Sequence, residues 1–569
     1  MPVDATLLEL MSPLPQGHPR SSQGRKLLGQ YMTPNHVAEF MVSLVTKDKS
    51  ASVLEPCAGE GVFLHALVGK GFTNITAFEV DPSLGGHAPI KIEYRDFLRV
   101  PPKPEFDVIL GNPPYVRWKN IPLTWREQFR RDAYWGGIIN GLGDLTYAFI
   151  YHAANMLKDK GELIFISPLF WTETVHGRRL REHLSRHGSL ELVLNLNESK
   201  IFKEVSSTIM IFKYVKSVKL PYIRIVEYRS REPVTTNVTS MLYSLLHEVG
   251  TTQDPRDSLM EKDAYKAYTA EQFLGGDPWR PIPPDEHLVK TIENAKETER
   301  LGYLADIGNG MVSGLDEAFR LSSEEFDELN DAEKNATIRV YKAATLDRFY
   351  PRSIAVPYAF TNNIRSERIL RKDYPHFHRK LAPYQSRLRH RYDYSRYIPW
   401  WHWVFLRNKS LFERHREKIL VPSKERYNTR GYFRFALISD NEKPSYITQD
   451  VTAVCLRERI PEGTEYVVGI LNSESVQRWM LIKGFSRGGV HDFSEHPLSV
   501  IPIPRVNWNN LVEAEAHRLI VDIVKDNIRN RRISRLPELD EQVEHIINSK
   551  KEGSSKKEAS GHLLARPSS

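Results

Sequence analysis

Residues 53–61 read VLEPCAGEG, a short apolar strand that runs into a turn with two glycines. Gly59 and Gly61 let the backbone turn tightly and let a ligand approach it closely. A helix with apolar residues is predicted next, from Val62 to Val68. This order of elements predicts a doubly wound α/β domain with a ligand at the turn, although many such turns only connect a strand to a helix.

Apolar strands and amphipathic helices alternate around this stretch. The pattern predicts helices over residues 34–45, 62–68 and 147–157, and strands over residues 52–54, 75–80, 106–110, 163–166, 190–196 and 207–214. Buried strands that alternate with helices are typical of a parallel sheet covered on both faces. We therefore expect a Rossmann-like domain with a mainly parallel sheet.

The whole chain suits two or three domains, since it has 569 residues of which 41% are hydrophobic. We expect an N-terminal arm, the α/β domain, a polar helical connector, a second α+β domain and a disordered tail, over residues 1–28, 29–245, 246–300, 301–548 and 549–569.

Composition excludes several classes of protein. No apolar run approaches the ~18 residues of a membrane span, and residues 1–20 show no secretion signal, so we expect a cytosolic protein. Only Cys57 and Cys455 are available as thiols, which excludes a multi-cysteine zinc site, and we expect no metal. The net charge of +8 indicates an anionic partner without naming it.

The positive charge is concentrated in the second half of the chain. Residues 371–434 carry seventeen Lys or Arg against five Asp or Glu, together with fourteen aromatics that include Trp400, Trp401 and Trp403. A charge run is usually a solvated face, but its concentration beside aromatics favours a surface that follows phosphates. The candidate contacts are Arg387, Arg389, Arg391 and Arg396, with the glycine-rich loop 483–491 as a second candidate surface.

Two acidic positions follow the glycine turn at spacings that suit a nucleoside. Glu79 ends the next strand, 20 residues after Gly59, where a carboxylate can bind ribose hydroxyls. Asp96 can accept from the amine of an adenine, with Phe97 against its ring. Each alone is equally well a solvated carboxylate at a strand end, but together they predict one nucleoside pocket.

The next strand ends in a rigid turn, because residues 107–115 read DVILGNPPY. Pro113 and Pro114 fix φ and remove two donors, while nearby carbonyls remain acceptors. Asn112 adds a neutral acceptor and Tyr115 a flat face. The set suits an aromatic amine such as adenine N6, whose two hydrogens would bind the Asn112 side-chain oxygen and the Pro113 carbonyl.

Such an amine is stacked and paired within a duplex, so the base has to be flipped out and held against aromatic rings. Tyr115 is one candidate ring and Phe202, in the sequence SKIFK, is the other. Phe202 has an equally simple interpretation as a core aromatic near a strand end.

Residues 29–215 resemble the adenine-N6 DNA methyltransferases of the gamma class, which the TaqI methyltransferase represents. The opening motif is GQYMTP at residues 29–34, in which Tyr31 and Thr33 would contact the methionine part of S-adenosylmethionine. The resemblance implies further cofactor contacts at Glu55, Ala58, Gly59, Gly61, Glu79, Asp96, Phe97 and Asn112, and catalytic roles for Asn112, Pro113, Pro114, Tyr115 and Phe202. The turn itself reads PCAGEG, and we interpret Cys57 as a packing residue.

The second half resembles the target-recognition domain of that family more loosely, at residues 309–319, 471–473 and 501–504. The resemblance implies methylation of adenine N6 in duplex DNA with S-adenosylmethionine as the cofactor. It also implies a restriction–modification system, with a cognate restriction endonuclease as a separate partner.

Other functions use the same chemistry. RNA adenine methylation remains open on the sequence alone. Protein glutamine methyltransferases share the Asn-Pro-Pro-Tyr motif but are short and lack a large basic C-terminal domain. A fused nuclease is disfavoured because residues 1–28 are too few for one, and a non-enzymatic DNA-binding protein is disfavoured by the intact residues 112–115.

Overall fold

The computed structural model describes residues 29, 31–84, 86–139, 143–197, 199–202, 208–249, 258–391, 397–439, 444–487 and 490–552. The chain divides into two compact units, Met1–Asp285 and Glu286–Ser569. The predicted arm at 1–28 and residues 553–569 of the predicted tail lie outside the described residues, while residues 549–552 belong to a helix.

The first unit is built on a ten-stranded sheet with the order β3-β2-β1-β4-β5-β7-β6-β8-β10-β9. Its strands are β1 Val53–Glu55, β2 Ile75–Glu79, β3 Glu93–Tyr94, β4 Phe106–Gly111, β5 Leu157–Pro168, β6 Gly188–Asn195, β7 Ile209–Lys216, β8 Tyr222–Tyr228, β9 Leu259–Lys262 and β10 Tyr265–Glu271. The five neighbouring strands β3, β2, β1, β4 and β5 pair in parallel, as expected. Beyond β5 the sheet is mixed, because β7 is antiparallel to both β5 and β6, and β10 is antiparallel to β8 and β9.

Both faces of the sheet are covered. Along β1 and β4, Leu54 and Ile109 enter one core whereas Val53, Val108 and Leu110 enter the other. The helices of this unit are α1 Asn35–Ser43, α2 Val62–Gly69, α3 Leu123–Arg131, α4 Leu145–Met156, α5 Phe170–Glu173, α6 Arg178–His187 and α7 Thr236–Val249. Helices α3 to α6 contribute to the first core, and α1, α2 and α7 to the second. The doubly wound Rossmann-like fold is confirmed.

Parallel pairing brings the functional segments together. Strands β1, β2 and β4 end at Glu55, Glu79 and Gly111, and their carboxyl ends share one edge of the sheet. The glycine turn, the ribose candidate and the tetrapeptide at residues 112–115 therefore start from the same edge, where doubly wound sheets bind ligands.

The helical connector expected over residues 246–300 is wrong. Helix α7 continues to Val249, and β9 and β10 follow as strands of the sheet, with Tyr268 opposite Ile225. The charged composition of this segment suggested an exposed connector. Lys266 is nevertheless almost fully buried, because its ammonium group pairs with the Asp285 carboxylate at 2.9 Å. A charged side chain that is paired with an opposite charge is compatible with burial.

The second unit is α+β, as expected. Its strands are β11 Thr298–Arg300, β12 Ala305–Asn309, β13 Thr337–Tyr341, β14 Val356–Ala359, β15 Lys418–Pro422, β16 Lys424–Glu425, β17 Ala436–Ile438, β18 Ser445–Ile447, β19 Val451–Leu456, β20 Ser486–Arg487, β21 Val490–Asp492 and β22 Pro502–Pro504. Strands β12-β19-β15-β17 form an antiparallel sheet, with smaller sheets β14-β13-β18, β16-β21-β20 and β11-β22.

Fourteen helices accompany these strands in the described part of the unit. They are α8 His287–Asn294, α9 Leu301–Leu304, α10 Asp316–Phe319, α11 Ser323–Asp327, α12 Asp331–Asn335, α13 Glu367–Asp373, α14 Pro375–Leu381, α15 Gln385–Arg389, α16 Lys409–Phe412, α17 Gly463–Asn472, α18 Glu474–Lys483, α19 Glu495–Ser499, α20 Leu511–Asn530 and α21 Leu536–Glu552. Within the described residues, none of the helices of either unit could span a membrane, and no group of three or more His, Cys, Asp or Glu could hold a metal ion.

Candidate active site

The glycine turn requires both of its glycines. Gly59 and Gly61 take left-handed conformations, at φ +54° and +86°, which side chains rarely adopt. The Ala58 N–H donates to the Phe78 carbonyl at 2.8 Å and ties the turn to β2. A Cβ on Gly61 would lie 3.1 Å from the Cβ of Ala88. At these two positions the turn therefore presents backbone without a side chain at the sheet edge.

Glu79 is held in place by this turn. Its carboxylate accepts from the Gly59 N–H at 2.8 Å and from the N–H groups of Val80 and Asp81 at 2.9 Å. Only 5% of Glu79 is exposed. These bonds orient the carboxylate against the glycine turn, in the position expected of a ribose-binding acid.

A cavity of about 840 Å³, including its open mouth, lies at this edge of the sheet. Its walls include seven of the predicted site residues, Tyr31, Gly59, Glu79, Asp96, Phe97, Asn112 and Pro114. Thr33, Glu55, Ala58, Gly61, Pro113, Tyr115 and Phe202 lie outside its lining. Sequence reasoning missed other wall residues, among them Met32, Leu84, Arg95, Leu145 and Phe149.

Asp96 and Phe97 form one end of the cavity. The Asp96 carboxylate accepts from the Leu98 N–H at 3.0 Å and begins a short 3₁₀ turn. Phe97 packs against Phe149, with ring centroids 5.3 Å apart, and against the edge of His152 at 4.7 Å. A carboxylate beside packed aromatic rings suits the polar edge and flat face of an adenine.

The amide of Asn112 has its orientation fixed by the opening motif. Its Nδ2 donates to the Tyr31 carbonyl at 2.8 Å and to the Thr33 hydroxyl at 3.1 Å. A carbonyl can only accept, so the Nδ2 must face Tyr31. Asn112 Oδ1 is then left buried with no hydrogen-bond partner among the described residues, although Asn112 lines the cavity. Leaving such a buried acceptor unpaired costs about 1–3 kcal/mol.

Gly29 lies directly against the tetrapeptide. Its carbonyl accepts from the Tyr115 N–H at 3.2 Å, and its φ is +64°. A Cβ at this position would stand 2.6 Å from the Tyr115 nitrogen. The opening motif therefore packs on the tetrapeptide through backbone as well as through Asn112.

The two rings expected to hold a base do not form an open sandwich. Tyr115 and Phe202 have ring centroids 6.2 Å apart and planes at 72°. A base between parallel rings needs them about 7 Å apart, twice a ~3.5 Å contact. Tyr31 instead stacks on Tyr115, at 5.3 Å and 29°, and approaches Phe202 to 5.8 Å. In this structure the Tyr31 ring fills the space against Tyr115.

Asp144 and Thr146 support the tetrapeptide through hydrogen bonds, and neither residue was identified from the sequence. The fully buried Thr146 hydroxyl contacts the Pro114 carbonyl at 3.0 Å and the Asp144 carboxylate at 2.8 Å. Asp144 caps α4 by accepting from the Thr146 N–H at 3.0 Å. The Asp-x-Thr pattern before a helix indicates the cap, but it does not indicate the contact with Pro114, 32 residues away.

Two acidic groups near the turn have raised pKa values. Burial, with a further contribution from Glu79, raises the pKa of the Glu55 carboxyl well above its usual value. Burial, then Glu55 and Glu79, raises the pKa of the Cys57 thiol, which donates to the Asn112 carbonyl at 3.1 Å. A thiol rather than a thiolate at this position is a poor nucleophile.

The sequence of this chain matches known protein families and individual proteins. The family of Eco57I restriction-modification methylases matches residues 85–202, and the N-6 DNA methylase family matches residues 20–70. Type II methyltransferase M.HindII of Haemophilus influenzae is 37% identical over 539 residues, which cover 91% of this chain and 97% of the relative. M.HincII, also from Haemophilus influenzae, is 35% identical over 531 residues, with the same coverage.

The chain belongs to the type II methyltransferase family. Similarity at this level over nearly the full length of both proteins shows the family directly, and the match to the N-6 DNA methylases agrees with it. The DNA complex of the type IIL restriction-modification enzyme MmeI has the same fold, with a TM-score of 0.57 at 12% identity over 91% of this chain and 72% of that one.

In this type II methyltransferase the predicted DNA-binding arginines have different surroundings. Arg387 is exposed and pairs with Glu317 at 2.6 Å, and Arg389 is exposed at the end of α15. The Arg391 guanidinium donates to the carbonyls of Ser313, Pro399 and His402. It therefore holds a loop together rather than facing a phosphate. Arg396 lies outside the described residues.

The aromatic surface expected beside these arginines is wrong for the three tryptophans. Trp400, Trp401 and Trp403 are only 4%, 6% and 1% exposed. The indole of Trp401 donates to Ile364 and that of Trp403 to Ala359. The spacing of these tryptophans in the sequence does not indicate whether their side chains face the core or the solvent. Of the second candidate surface, 483–491, residues 486–487 and 490–491 lie in two antiparallel strands, and His491 is buried.

Replacing Thr146 tests whether it positions the tetrapeptide. Thr146→Val keeps the shape of the side chain but removes the bond to Pro114, so the methylation rate should fall roughly 10-fold, since a lost buried hydrogen bond costs about 1–2 kcal/mol. Thr146→Ser keeps the hydroxyl and should retain most of the rate. Single-turnover methylation measures both variants. A rate for Thr146→Val equal to that of the parent would show that the bond to Pro114 has no effect.

Asp144 predicts a pH-dependent stability difference. Burial raises the pKa of Asp144 from 3.8 to about 6, against the lowering effect of the Thr146 N–H. Between these two pKa values the Asp144 carboxyl is protonated in the folded protein but ionised in the unfolded chain. The contribution of Asp144 to the free energy of unfolding therefore falls by about 3 kcal/mol from pH 4 to above pH 6. Asp144→Asn keeps the cap without this charge, so its melting temperature should rise relative to the parent between pH 4.5 and pH 7.5. A constant difference would contradict the buried charge.

Proposed function

We propose that this type II methyltransferase transfers a methyl group from S-adenosylmethionine to N6 of an adenine flipped out of duplex DNA. The observation that carries the proposal is the buried, unpartnered Oδ1 of Asn112 at the cavity. Burying such an acceptor is unfavourable unless a ligand supplies the donor. An exocyclic amine is a donor of the right kind, and a target-base amine is what an N-6 methylase must bind.

The cavity residues suit the cofactor. Glu79 would accept from the ribose hydroxyls, Asp96 from the adenine amine, and Phe97 would lie against the adenine ring. The glycine turn, Tyr31 and Thr33 would hold the methionine part. When bound, S-adenosylmethionine supplies a methyl group that its sulfonium already activates.

The tetrapeptide has to prepare the acceptor nitrogen. The N6 lone pair of adenine is delocalised into the ring. Asn112 Oδ1 and the Pro113 carbonyl, each accepting one N6 hydrogen, draw the nitrogen toward a pyramidal geometry and localise that pair. Fixed dipoles that need no reorganisation stabilise the charge that develops on the nitrogen. The neutral amide of Asn112 removes no proton, so it acts by orientation. As the nitrogen–methyl bond forms, the methyl–sulfur bond breaks, and the methylated nitrogen then gives up one hydrogen as a proton to solvent.

The bond between Asn112 and the opening motif couples cofactor and base. Tyr31 and Thr33 both hold Asn112 Nδ2, and both belong to the motif expected to contact the cofactor. A cofactor that orders residues 31–33 would also fix the direction of Oδ1. For a base to stack on Tyr115, the Tyr31 ring has to leave the position it holds here, while its carbonyl stays on Asn112.

The second unit is proposed to position the duplex. Exposed Arg387 and Arg389 would contact phosphates, and ion pairs such as that of Arg387 with Glu317 are weak enough to exchange for one. We further propose that the enzyme acts in the cytoplasm of a bacterial or archaeal cell, as the modification partner of a separate restriction endonuclease.

Nucleoside analysis tests the proposal. Purified protein should transfer label from S-adenosylmethionine to mixed-sequence duplex DNA, and the digested product should contain N6-methyladenine. Label in N4-methylcytosine would show that the target base is cytosine and not adenine. Label only in RNA or in protein would overturn DNA as the substrate. Single-molecule sequencing of the methylated DNA then identifies the target site.

Asn112→Ala should lower the single-turnover rate at least ~10²-fold, the usual cost of losing one donor or acceptor that acts on the transition state. Asn74→Ala is the matched control, because Asn74 is exposed just before the start of β2, at the opposite edge of the sheet. Because Asn112 is also a predicted cofactor contact, calorimetry measures cofactor binding for each variant, and the rates are compared at saturating S-adenosylmethionine. A full rate for Asn112→Ala would remove the acceptor role.

A further inference from the structure

The chain that leaves the tetrapeptide is rich in cations. Residues 117–131, called the basic lip below, read RWKNIPLTWREQFRR and carry five basic residues against one acid. They include the 3₁₀ turn Trp118–Asn120 and helix α3. This segment lies in the first unit and was not part of the predicted phosphate-binding surface.

The basic lip is anchored from inside. Trp118, Trp125 and Phe129 are 4%, 1% and 0% exposed and belong to the core that also contains Leu145. The Trp118 N–H donates to the Gly143 carbonyl at 2.9 Å. The aromatic side chains thus face the core, and the backbone that carries the cations is held in a defined position.

Four of the five cations of the basic lip face outward. Arg117, Lys119, Arg130 and Arg131 are all exposed. Arg131 pairs with Glu127, the one acid of the lip, at 3.7 Å. In the described part of the chain, neither Arg117 nor Lys119 has a carboxylate within ion-pair distance. Both cations are exposed at the start of the lip, although Arg117 also interacts electrostatically with the buried Asp144 and opposes the rise of its pKa.

Chain connectivity keeps these cations near Tyr115, the candidate ring for the target base. Consecutive Cα atoms are 3.8 Å apart, so the Cα of Arg117 lies at most about 7.6 Å from that of Tyr115. A base that stacks on Tyr115 enters the protein, but the phosphates on either side of its nucleotide stay in the DNA backbone outside. Those phosphates are the nearest anions that the substrate brings to Arg117 and Lys119.

We propose that Arg117 and Lys119 of the basic lip bind the phosphates that flank the flipped nucleotide. The inference rests on the proposed function, since it needs a polynucleotide substrate. Cations on an anchored backbone lose less conformational entropy on binding than cations on a loose segment. Phosphate contacts beside the pocket would offset part of the cost of unstacking the base.

Neutral phosphates in the substrate test this contact. Two duplexes carry the identified target site, one unmodified and one with methylphosphonates at the phosphates 5′ and 3′ of the target adenine. Each is methylated by the parent, by Arg117→Ala/Lys119→Ala, and by the control Lys70→Ala. Lys70 is exposed at the end of α2, at the sheet edge opposite the cavity.

The double variant should methylate the unmodified duplex with at least ~10-fold lower kcat/KM, as expected for lost charged hydrogen bonds. The slope of log kcat/KM against log salt should become shallower by about 0.9 for each lost phosphate contact. Methylphosphonates should slow the parent and Lys70→Ala but not the double variant, because coupled changes are not additive. Unchanged cofactor binding shows that the variant is folded.

Equal rates for the double variant and the parent on the unmodified duplex would overturn the basic lip while leaving the proposed function intact. Additive losses from the variant and from the methylphosphonates would show that the two cations bind elsewhere. Failure of the parent to methylate any duplex would overturn the proposed function, and the inference with it.

Discussion

The hydrogen bond from Asn112 Nδ2 to the Tyr31 carbonyl is the interaction on which the site depends. It joins a residue after β4 to one that precedes α1, 81 positions earlier in the chain. It determines which end of the Asn112 amide is left unpaired, and hence whether a buried acceptor or a buried donor remains there. Gly29, which lacks a Cβ, permits the close backbone approach that this arrangement needs. In the proposed mechanism the opening motif is therefore part of the acceptor site as well as a candidate cofactor contact.

Much of the first unit could be predicted because its signals are local. A strand, two glycines and a helix define the turn, and the carboxyl ends of parallel strands place Glu79 and Asn112 at one edge. The contact between Thr146 and Pro114 could not be predicted, since it joins distant residues through a loop of unknown path. The strand at 265–271 was missed because its buried lysine finds an acid only in the folded protein.

The second unit shows what composition cannot predict. Arginines and tryptophans in one segment indicated a single surface, yet Trp403 belongs to the core and Arg391 holds backbone carbonyls. Counting charges measures how many cations a segment has, not which way they point. The basic lip is the converse case, because its five cations are too few to stand out in a chain of 569 residues. Its position, directly after Tyr115, is what makes it relevant.

A ternary structure with target duplex and a non-reactive analogue of S-adenosylmethionine tests the account most directly. The account predicts the exocyclic nitrogen of a flipped base about 2.7–3.2 Å from Asn112 Oδ1. It also predicts that the Tyr31 ring has moved off Tyr115 and that the Tyr31 carbonyl still accepts from Asn112. An Oδ1 that contacts only the cofactor, with the target base held by other residues, would contradict it.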